Sequence, residues 1–363
     1  MLEHHPALSV AVTDGQGRGA MASAKKGKLR LISGEFGIDA AFDQAEPLAT
    51  LKRAPPAHLI ALSAFSTTLA YLDAAGHRAE PVAIEMENSP IFGAKNEKSG
   101  LGSSAASTVA LVAALMEANG YTLEKDRDLI HRIAQVSHSL GTGKVGSGFD
   151  IATSAFGTIQ YVRFDKNAIG ADFAMGYDEF KLKLKESVGR EWPGMMAKPF
   201  SLSPYGIAAF NIRGRRTSTI SPVKAVRKLI EHTPELYENM IGGQVEGERL
   251  VFESLVKRDR DGIREGMRQA RAYQRMLSDW VGRVGMLNFD RIEPPELTKL
   301  IDAAEELPFV VAGRCPGSGG YDSVAFITEG KAGPQEIVKL GDKMGLRLEP
   351  LDIRISAEGA KRF

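Results

Sequence analysis

The segment from Lys98 to Ala106 constrains this chain most, because it places two glycines and three serines within six residues, directly before an apolar helical pattern. The apolar positions that follow are Val109, Ala110, Val112, Ala113, Leu115 and Met116. A glycine-rich turn leading into a helix directs several backbone N–H groups at one point, and the helix dipole adds partial positive charge there. The segment therefore predicts either a phosphate-binding loop or an ordinary capped turn. Ser103 and Ser104 could cap the helix, or offer hydroxyls to phosphate and Mg²⁺.

Two common nucleotide-binding loops do not match this segment. A Walker A loop requires Gly-Lys-Ser/Thr at a set spacing, which is absent here. A dinucleotide fingerprint requires a third glycine, which is also absent.

Composition limits the function classes. The 363 residues carry a formal net charge of +1, so we expect no general attraction to nucleic acid or to an anionic membrane. No apolar run approaches the roughly 18–20 residues of a membrane-spanning helix, and residues 1–6 resemble neither a signal nor a transit peptide. The single cysteine, Cys315, excludes an internal disulfide. We expect a cytoplasmic protein.

Strand and helix patterns are interspersed along the chain, with turn residues typical of antiparallel pairs. They predict an α+β fold rather than a doubly wound parallel sheet. The length allows two domains, which we place at residues 1–200 and 201–363. The tail from 348 to 355 is expected to be a last strand.

A second glycine-rich segment runs from Gly141 to Asp150. Its four glycines would let the backbone approach a ligand closely. Lys144 adds a cation, Ser147 a hydroxyl and Asp150 a carboxylate that could orient an acceptor group, take its proton or touch Mg²⁺. The alternative is a flexible loop in which Asp150 only caps the next helix.

Two further segments allow a functional and a structural interpretation. Residues 314–322 (Arg-Cys-Pro-Gly-Ser-Gly-Gly-Tyr-Asp) lie between two predicted strands and could be a ligand loop or a simple hairpin turn. Residues 213–219 (Arg-Gly-Arg-Arg-Thr-Ser-Thr) could clamp an acidic substrate or form a solvated basic turn. Cys315 is expected to be a buried bystander.

These segments together resemble the GHMP kinase superfamily. Gly-Leu-Gly-Ser-Ser-Ala at 100–105 is similar to its second motif, and residues 314–322 to its third. Three further strings resemble the phosphomevalonate kinase branch: Gly-Lys-Val-Gly-Ser-Gly-Phe-Asp-Ile-Ala at 143–152, Tyr-Val-Arg-Phe at 161–164, and Pro-Gly-Ser-Gly-Gly-Tyr-Asp at 316–322. The resemblance implies a ribosomal-protein-S5-like first domain and a ferredoxin-like second domain, with ATP and substrate in the cleft between them.

The resemblance also implies roles for individual residues. ATP phosphates would be held by Gly100, Leu101, Gly102, Ser103, Ser104 and Ala105, with Ser104 as a Mg²⁺ ligand. Lys144 and Asp150 would flank the transferred phosphoryl group. Substrate contacts would come from His138, Ser147, Arg215, Ser218, Thr219, Gly317, Ser318, Gly319 and Gly320, although Arg213 or Arg216 could take the place of Arg215. All three loops would converge on one cavity.

The superfamily's first motif, Pro-Gly-Lys-x-x-x-x-Gly-Glu, has no full counterpart. Residues 27–35 are similar to it, but Lys26 stands where the proline is expected. Residues 1–8 instead resemble what normally follows that motif. We therefore expect the chain to begin just after the first motif, without its first strand, and Lys28 to be an ordinary strand residue.

The function implied is phosphorylation of (R)-5-phosphomevalonate by ATP and Mg²⁺ in isoprenoid precursor synthesis. Other interpretations stay open: mevalonate kinase, a decarboxylase of the same superfamily, or a non-catalytic binding homologue. We expect small-molecule ligands only, and a monomer or homodimer.

Overall fold

The computed structural model describes residues 6–92, 100–214, 230–283, 291–317, 319–330 and 333–362. These residues form two compact units. The amino-terminal unit contains residues 6–92, 101–201 and 355–362, and the carboxy-terminal unit contains Gly100 and the described part of 202–354. The division at 200/201 remains a prediction.

The amino-terminal unit mixes short strands with long helices. Its strands are β1 (Ala7–Ser9), β2 (Ala11–Asp14), β3 (Ala20–Lys26), β4 (Arg30–Ser33), β5 (Ile38–Ala41), β6 (Val82–Asn88), β7 (Ile159–Val162) and β8 (Met196–Pro199). Its helices are α1 (Leu59–Ala74), α2 (Ser103–Ala118), α3 (Leu123–Thr142), α4 (Phe149–Phe156) and α5 (Tyr177–Val188).

Two sheets organise this unit. One has the strand order β3-β6-β4-β5, with β4 and β6 parallel and the other pairs antiparallel. The other has the order β1-β7-β8 and is antiparallel. Val82, Ile84 and Met86 alternate along β6 and are all buried, as the period of two in a half-buried strand requires.

Helices α1, α2 and α3 pack into one core that includes Leu69, Leu111 and Ile133, all within 1% of full burial. Helices α1 and α3 approach closely at Gly141, where an added Cβ would lie 2.9 Å from the Ile60 Cα. The side chain of Thr122 accepts the Lys125 N–H and so caps α3, while Gly143 ends that helix in the left-handed region.

The carboxy-terminal unit is built on one antiparallel sheet of order β10-β11-β9-β12. These strands are β9 (Gly206–Ile212), β10 (Val310–Arg314), β11 (Ser323–Thr328) and β12 (Leu348–Pro350). The helices are α6 (Pro234–Lys257), α7 (Arg260–Arg283), α8 (Pro295–Ala304) and α9 (Pro334–Lys343). A last strand, β13 (Ile353–Ser356), carries the chain back to the amino-terminal unit.

Helices α6 and α7 pack closely through two glycines. A Cβ added to Gly247 would lie 2.7 Å from the Gly266 carbonyl oxygen. Small residues at such a crossing let the two backbones approach each other.

The predicted α+β class is confirmed, and several local predictions need correction. Lys28 is not a strand residue, since it lies exposed in the turn between β3 and β4. The tail is two short strands rather than one, and helix α5 was not predicted. The signal for α5 was present: Phe180, Leu184 and Val188 are buried at helical spacing. None of the helices described is both long enough and apolar enough to cross a membrane.

Candidate active site

Helix α2 begins with an open amino terminus. Gly102 occupies the N-cap position with φ +73°, a left-handed conformation that glycine adopts without strain. Its carbonyl accepts the N–H groups of Ala105 and Ala106, at 3.0 and 3.1 Å. Because a glycine has no capping side chain, the N–H groups of Ser103 and Ser104 at the start of this helix receive no cap from it, as in helix termini that bind anions.

Ser104, in the first turn of α2, contacts His138 of α3. The Ser104 Oγ and the His138 Nε2 are 3.1 Å apart. Burial lowers the pKa of His138 below its usual 6.5, an effect that the nearby Asp150 carboxylate opposes and the Lys144 cation reinforces. The imidazole is therefore neutral at pH 7.

Asp150 lies at a second helix amino terminus, beside the first. Helix α4 begins at Phe149 after Gly148, its N-cap residue, which has φ +80°. A Cβ added to Gly102 would lie 3.7 Å from the Cβ of Asp150. Because α4 begins at Phe149, Asp150 lies in the first turn of the helix and not at its cap position. Its Oδ1 nevertheless accepts the Ile151 N–H at 3.0 Å. Two positive helix ends and one carboxylate meet within the amino-terminal unit.

The backbone of the segment between α3 and α4 accepts hydrogen bonds from a residue of β7 and from a residue that follows it. The Tyr161 hydroxyl donates to the Ser147 carbonyl at 3.0 Å, and the Arg163 Nη2 donates to the Gly146 carbonyl at 2.8 Å. Burial raises the pKa of Tyr161, so its O–H stays protonated across the physiological range. The side chains of Lys144 and Ser147, in the same segment, are exposed to solvent.

The four glycines of this segment have different roles, which corrects the prediction that all serve ligand approach. Gly141 lies within α3 and packs on α1, as described above. Gly148 is enclosed, since an added Cβ would lie 2.7–2.8 Å from atoms of Gln135, Phe164 and Tyr161. Only Gly143 and Gly146 have open space where a Cβ would be.

The glycine loop of the carboxy-terminal unit (residues 315–322) connects β10 and β11. The Gly320 N–H donates to the Ile292 carbonyl at 2.8 Å, and a Cβ added to Gly319 would lie 2.2 Å from that same oxygen. Gly317 has φ +63° and open space around its Cβ position. Ser318 lies outside the described residues.

Cys315 at the start of this loop is buried, and burial raises the pKa of its thiol to about 12. It is therefore unreactive, in agreement with the bystander role expected for it.

Of the predicted basic clamp, the described part is Arg213 and Gly214. Arg213 forms an ion pair with Glu349. Arg215, Ser218 and Thr219 lie outside the described residues, as does Arg216.

Gly100, the first glycine of the predicted phosphate loop, belongs to the carboxy-terminal unit and has φ +71°. It lies beside Ser323, since an added Cβ would be 3.5 Å from the Ser323 Oγ.

Within the amino-terminal unit, the structure thus brings together the start of α2 and three predicted residues: Ser104, His138 and Asp150. Lys144 is close enough to act electrostatically on His138. The roles assigned to these residues remain proposals, as does the convergence of all three loops. Sequence reasoning gave no role to Tyr161 or Arg163, although the Tyr-Val-Arg-Phe string that contains them was noticed.

Comparison with protein families gives two matches. The profile described as "GHMP kinases N terminal domain" matches residues 62–158, and "GHMP kinases C terminal" matches residues 251–339. The first covers α2, α3 and α4, and the second covers the glycine loop.

Among curated relatives, a phosphomevalonate kinase of Aspergillus fumigatus is 27% identical in a 293-residue alignment that covers 73% of this chain and 60% of the relative. A peroxisomal phosphomevalonate kinase of Arabidopsis thaliana is 30% identical in a 289-residue alignment that covers 65% of this chain and 56% of the relative. The chain thus aligns with little more than half the length of these relatives.

Among solved structures, Streptococcus pneumoniae phosphomevalonate kinase in complex with phosphomevalonate and AMPPNP has a similar fold. The TM-score is 0.69 at 18% identity, covering 97% of this chain and 93% of that one.

Proposed function

Because the chain belongs to the GHMP kinases, we propose that it transfers the γ-phosphoryl group of ATP to (R)-5-phosphomevalonate, giving ADP and 5-diphosphomevalonate in the mevalonate pathway of isoprenoid biosynthesis. The observation that carries this proposal is the proximity of the Gly102 turn to Asp150, since it puts a helix N-terminus of the kind that suits phosphate beside a carboxylate. Identity to the named relatives supports the choice of acceptor.

The ATP phosphates are assigned to the backbone of Gly100 to Ala105. The N–H groups that open α2 supply hydrogen bonds and partial positive charge to the β- and γ-phosphates. The Ala105 N–H already donates to the Gly102 carbonyl and its methyl group is fully buried, so that residue fixes the turn.

Phosphoryl transfer between two anions depends mainly on positioning and charge neutralisation. Exposed Lys144 offsets the charge of the acceptor and of the transferred group. Asp150 orients the acceptor and need not be a strong base, because a phosphate acceptor is already ionised near neutral pH. This distinguishes the reaction from phosphorylation of an alcohol.

The acceptor itself is assigned to exposed Ser147, to His138 and to the described glycines of the carboxy-terminal loop, Gly317, Gly319 and Gly320. Arg215, Ser218, Thr219 and Ser318 complete this assignment from the sequence. Cations and hydroxyls at these positions suit a ligand with both a phosphate and a carboxylate.

The oxygen groups present also suit Mg²⁺. Mg²⁺ prefers hard oxygen ligands and takes several of them from ATP, so one or two protein oxygens are enough. Ser104 Oγ and the Asp150 carboxylate are the candidates. Among the residues described, no group of three or more His, Cys, Asp or Glu side chains is arranged to hold a metal ion. When bound, Mg²⁺ would neutralise charge on the phosphate oxygens.

The neutral His138 has a definite task in this arrangement. A neutral imidazole has two tautomers, and the proposal requires the one in which Nε2 accepts: the Ser104 hydroxyl hydrogen then points toward His138 and the oxygen lone pairs point away from it. This leaves Ser104 Oγ free to approach a cation.

The cytoplasm is the proposed compartment, and monomer or homodimer the proposed state. One relative's name places that protein in the peroxisome.

A coupled ADP-release assay with mevalonate, 5-phosphomevalonate and 5-diphosphomevalonate, run side by side, tests the proposal. We expect turnover with 5-phosphomevalonate alone. Turnover of mevalonate but not of its phosphate would replace the assignment with mevalonate kinase, and release of CO₂ from the diphosphate would indicate a decarboxylase. Nucleotide binding without any turnover, measured by calorimetry, would favour a non-catalytic homologue.

A further inference from the structure

A buried cluster of charged side chains lies next to the glycine loop of the carboxy-terminal unit. The Arg271 side chain, only 1% exposed, donates from Nε and Nη2 to the two carboxylate oxygens of Glu293, each at 2.9 Å. Glu293 also accepts hydrogen bonds from Arg275 and Thr298, at 2.8 and 2.9 Å. Its carboxylate is fully buried and accepts four hydrogen bonds, so its position is fixed.

Such a cluster is costly to bury. Removing ions from water carries a desolvation penalty that their attraction offsets only in part, and well-packed apolar side chains are often at least as stabilising. Stability alone therefore does not account for a charge pair at this depth.

On one side, the cluster is connected through Ile292 to Gly319 and Gly320 of the glycine loop. Glu293 directly follows Ile292, whose N–H donates to the Ser278 Oγ at 3.2 Å. The Ile292 carbonyl is the group that accepts the Gly320 N–H and against which Gly319 packs. Anything that shifts Glu293 therefore shifts the oxygen on which the loop rests.

On the other side, the cluster is connected to the strand that leads into the loop. Glu305, also buried, accepts the Gly313 N–H at 3.2 Å, and Gly313 lies in β10 two residues before Cys315. Arg271 Nη1 and Arg268 Nε hold Glu305 at 3.4 and 2.8 Å. The same cluster thus holds the backbone on both sides of the loop.

We propose that Arg271 and Glu293 are positioning residues, which fix the Gly319–Gly320 turn through Ile292 so that the glycine loop is held in one conformation before an anionic ligand binds. This inference rests on the proposed function, in which these glycines contact the substrate. The two residues themselves touch no substrate and act only through the loop.

Substitution Glu293→Gln tests the proposal, since it keeps the size of the side chain and removes its charge. In the substrate-free protein, hydrogen exchange at the Gly320 amide should become about tenfold faster, because the Ile292 carbonyl that accepts it is no longer held. Exchange at the Gly319 amide, which donates to the Pro316 carbonyl at 3.1 Å, should rise with it because the two amides open in the same turn. In the kinase assay, KM for 5-phosphomevalonate should rise about tenfold with kcat little changed, as expected for lost binding that is common to ground and transition states.

Glu329→Gln is the matched control. Glu329 pairs with Arg260 in the same unit, and the pair is partly exposed and does not touch the loop. It should leave exchange at the glycines and KM at wild-type values. Should Glu293→Gln fail to fold, Arg275→Gln removes only the partly exposed partner of Glu293 and should show the same changes, smaller in size.

Two results would overturn the proposal. One is unchanged exchange at Gly319 and Gly320 in a folded variant. The other is faster exchange that is equal throughout β9, β10 and β11, which would assign the cluster to general stability. A wild-type protein that does not use 5-phosphomevalonate would remove the proposed function, while the exchange comparison, made without substrate, would still decide how the loop is held.

Discussion

The Ser104 hydroxyl and the His138 imidazole lie 3.1 Å apart, joining the first turn of α2 to the last turns of α3. Ser104→Ala removes this contact and one candidate Mg²⁺ ligand. We expect KM for Mg·ATP to rise about tenfold and the Mg²⁺ concentration for half-maximal rate to increase. Titration of Mg²⁺ at fixed ATP measures both. Ser66→Ala, in α1, is the control, since its hydroxyl donates to the Pro47 carbonyl, and it should keep wild-type kinetics; an unchanged Mg²⁺ dependence in Ser104→Ala would remove Ser104 from the metal site.

Asp150→Ala should abolish measurable turnover while the fold persists. Losing a carboxylate that orients the acceptor costs about 10²-fold or more in rate, because a small misplacement of the reacting group is enough for such a loss. Circular dichroism checks the fold, and the ADP-release assay checks the rate. Asp128→Asn, an exposed carboxylate on α3, supplies the comparison. Near-normal turnover in Asp150→Ala would exclude this residue from the mechanism.

Tyr161→Phe deletes one hydroxyl, the donor to the Ser147 carbonyl. We expect a loss of about 1 kcal/mol in unfolding free energy, together with a higher KM for 5-phosphomevalonate. Tyr177→Phe, which removes a hydroxyl bonded to Asp73 at 2.9 Å, should lose similar stability and keep its KM. Equal KM values in the two variants would show that Tyr161 supports the fold only.

Gly148→Ala and Gly143→Ala separate crowding from backbone strain. Both glycines have positive φ, at +80° and +66°. The new methyl group has open space at Gly143, so that variant should lose only about 1–2 kcal/mol. At Gly148 it meets three side chains, so its urea midpoint should fall clearly further. Similar midpoints would mean that the residues around Gly148 relax without cost.

Because His131 is buried, we expect the free energy of unfolding to decrease at acidic pH. It is fully buried, its Nε2 has no hydrogen-bond partner among the described residues, and burial lowers its pKa to about 3. In the unfolded chain His131 binds a proton near pH 6.5, whereas in the folded chain it stays neutral until about pH 3. Its contribution to the free energy of unfolding is therefore fully present above pH 6.5 and is lost progressively as the pH drops toward 3. From pH 7 to pH 5 this amounts to about 2 kcal/mol.

Urea unfolding of wild type and His131→Gln at both pH values measures this contribution. The variant should lose less stability between pH 7 and pH 5 than the wild type does. His77→Gln, at an exposed position, should match the wild type. A wild-type difference retained in full by His131→Gln would contradict the assignment.

Local chemistry in the sequence determined the elements that begin at the site. The Gly-Leu-Gly-Ser-Ser run before an apolar helical pattern is sufficient to predict α2, because glycine geometry and side-chain periodicity act over a few residues. The same reasoning predicted the α+β class and selected Asp150 and Lys144 as candidates, whereas His138 was selected by the resemblance to the kinase family.

Only the tertiary structure decided which residues meet. The contact of Ser104 with His138 and that of Gly102 with Asp150 join residues far apart in the chain, and the periodicity of one helix carries no information about its partner. The different tasks of Gly141 and Gly143, and the support that Tyr161 and Glu293 give to two loops, likewise depend on long-range packing. A residue's type limits what it can do, whereas its neighbours in the folded chain determine what it does.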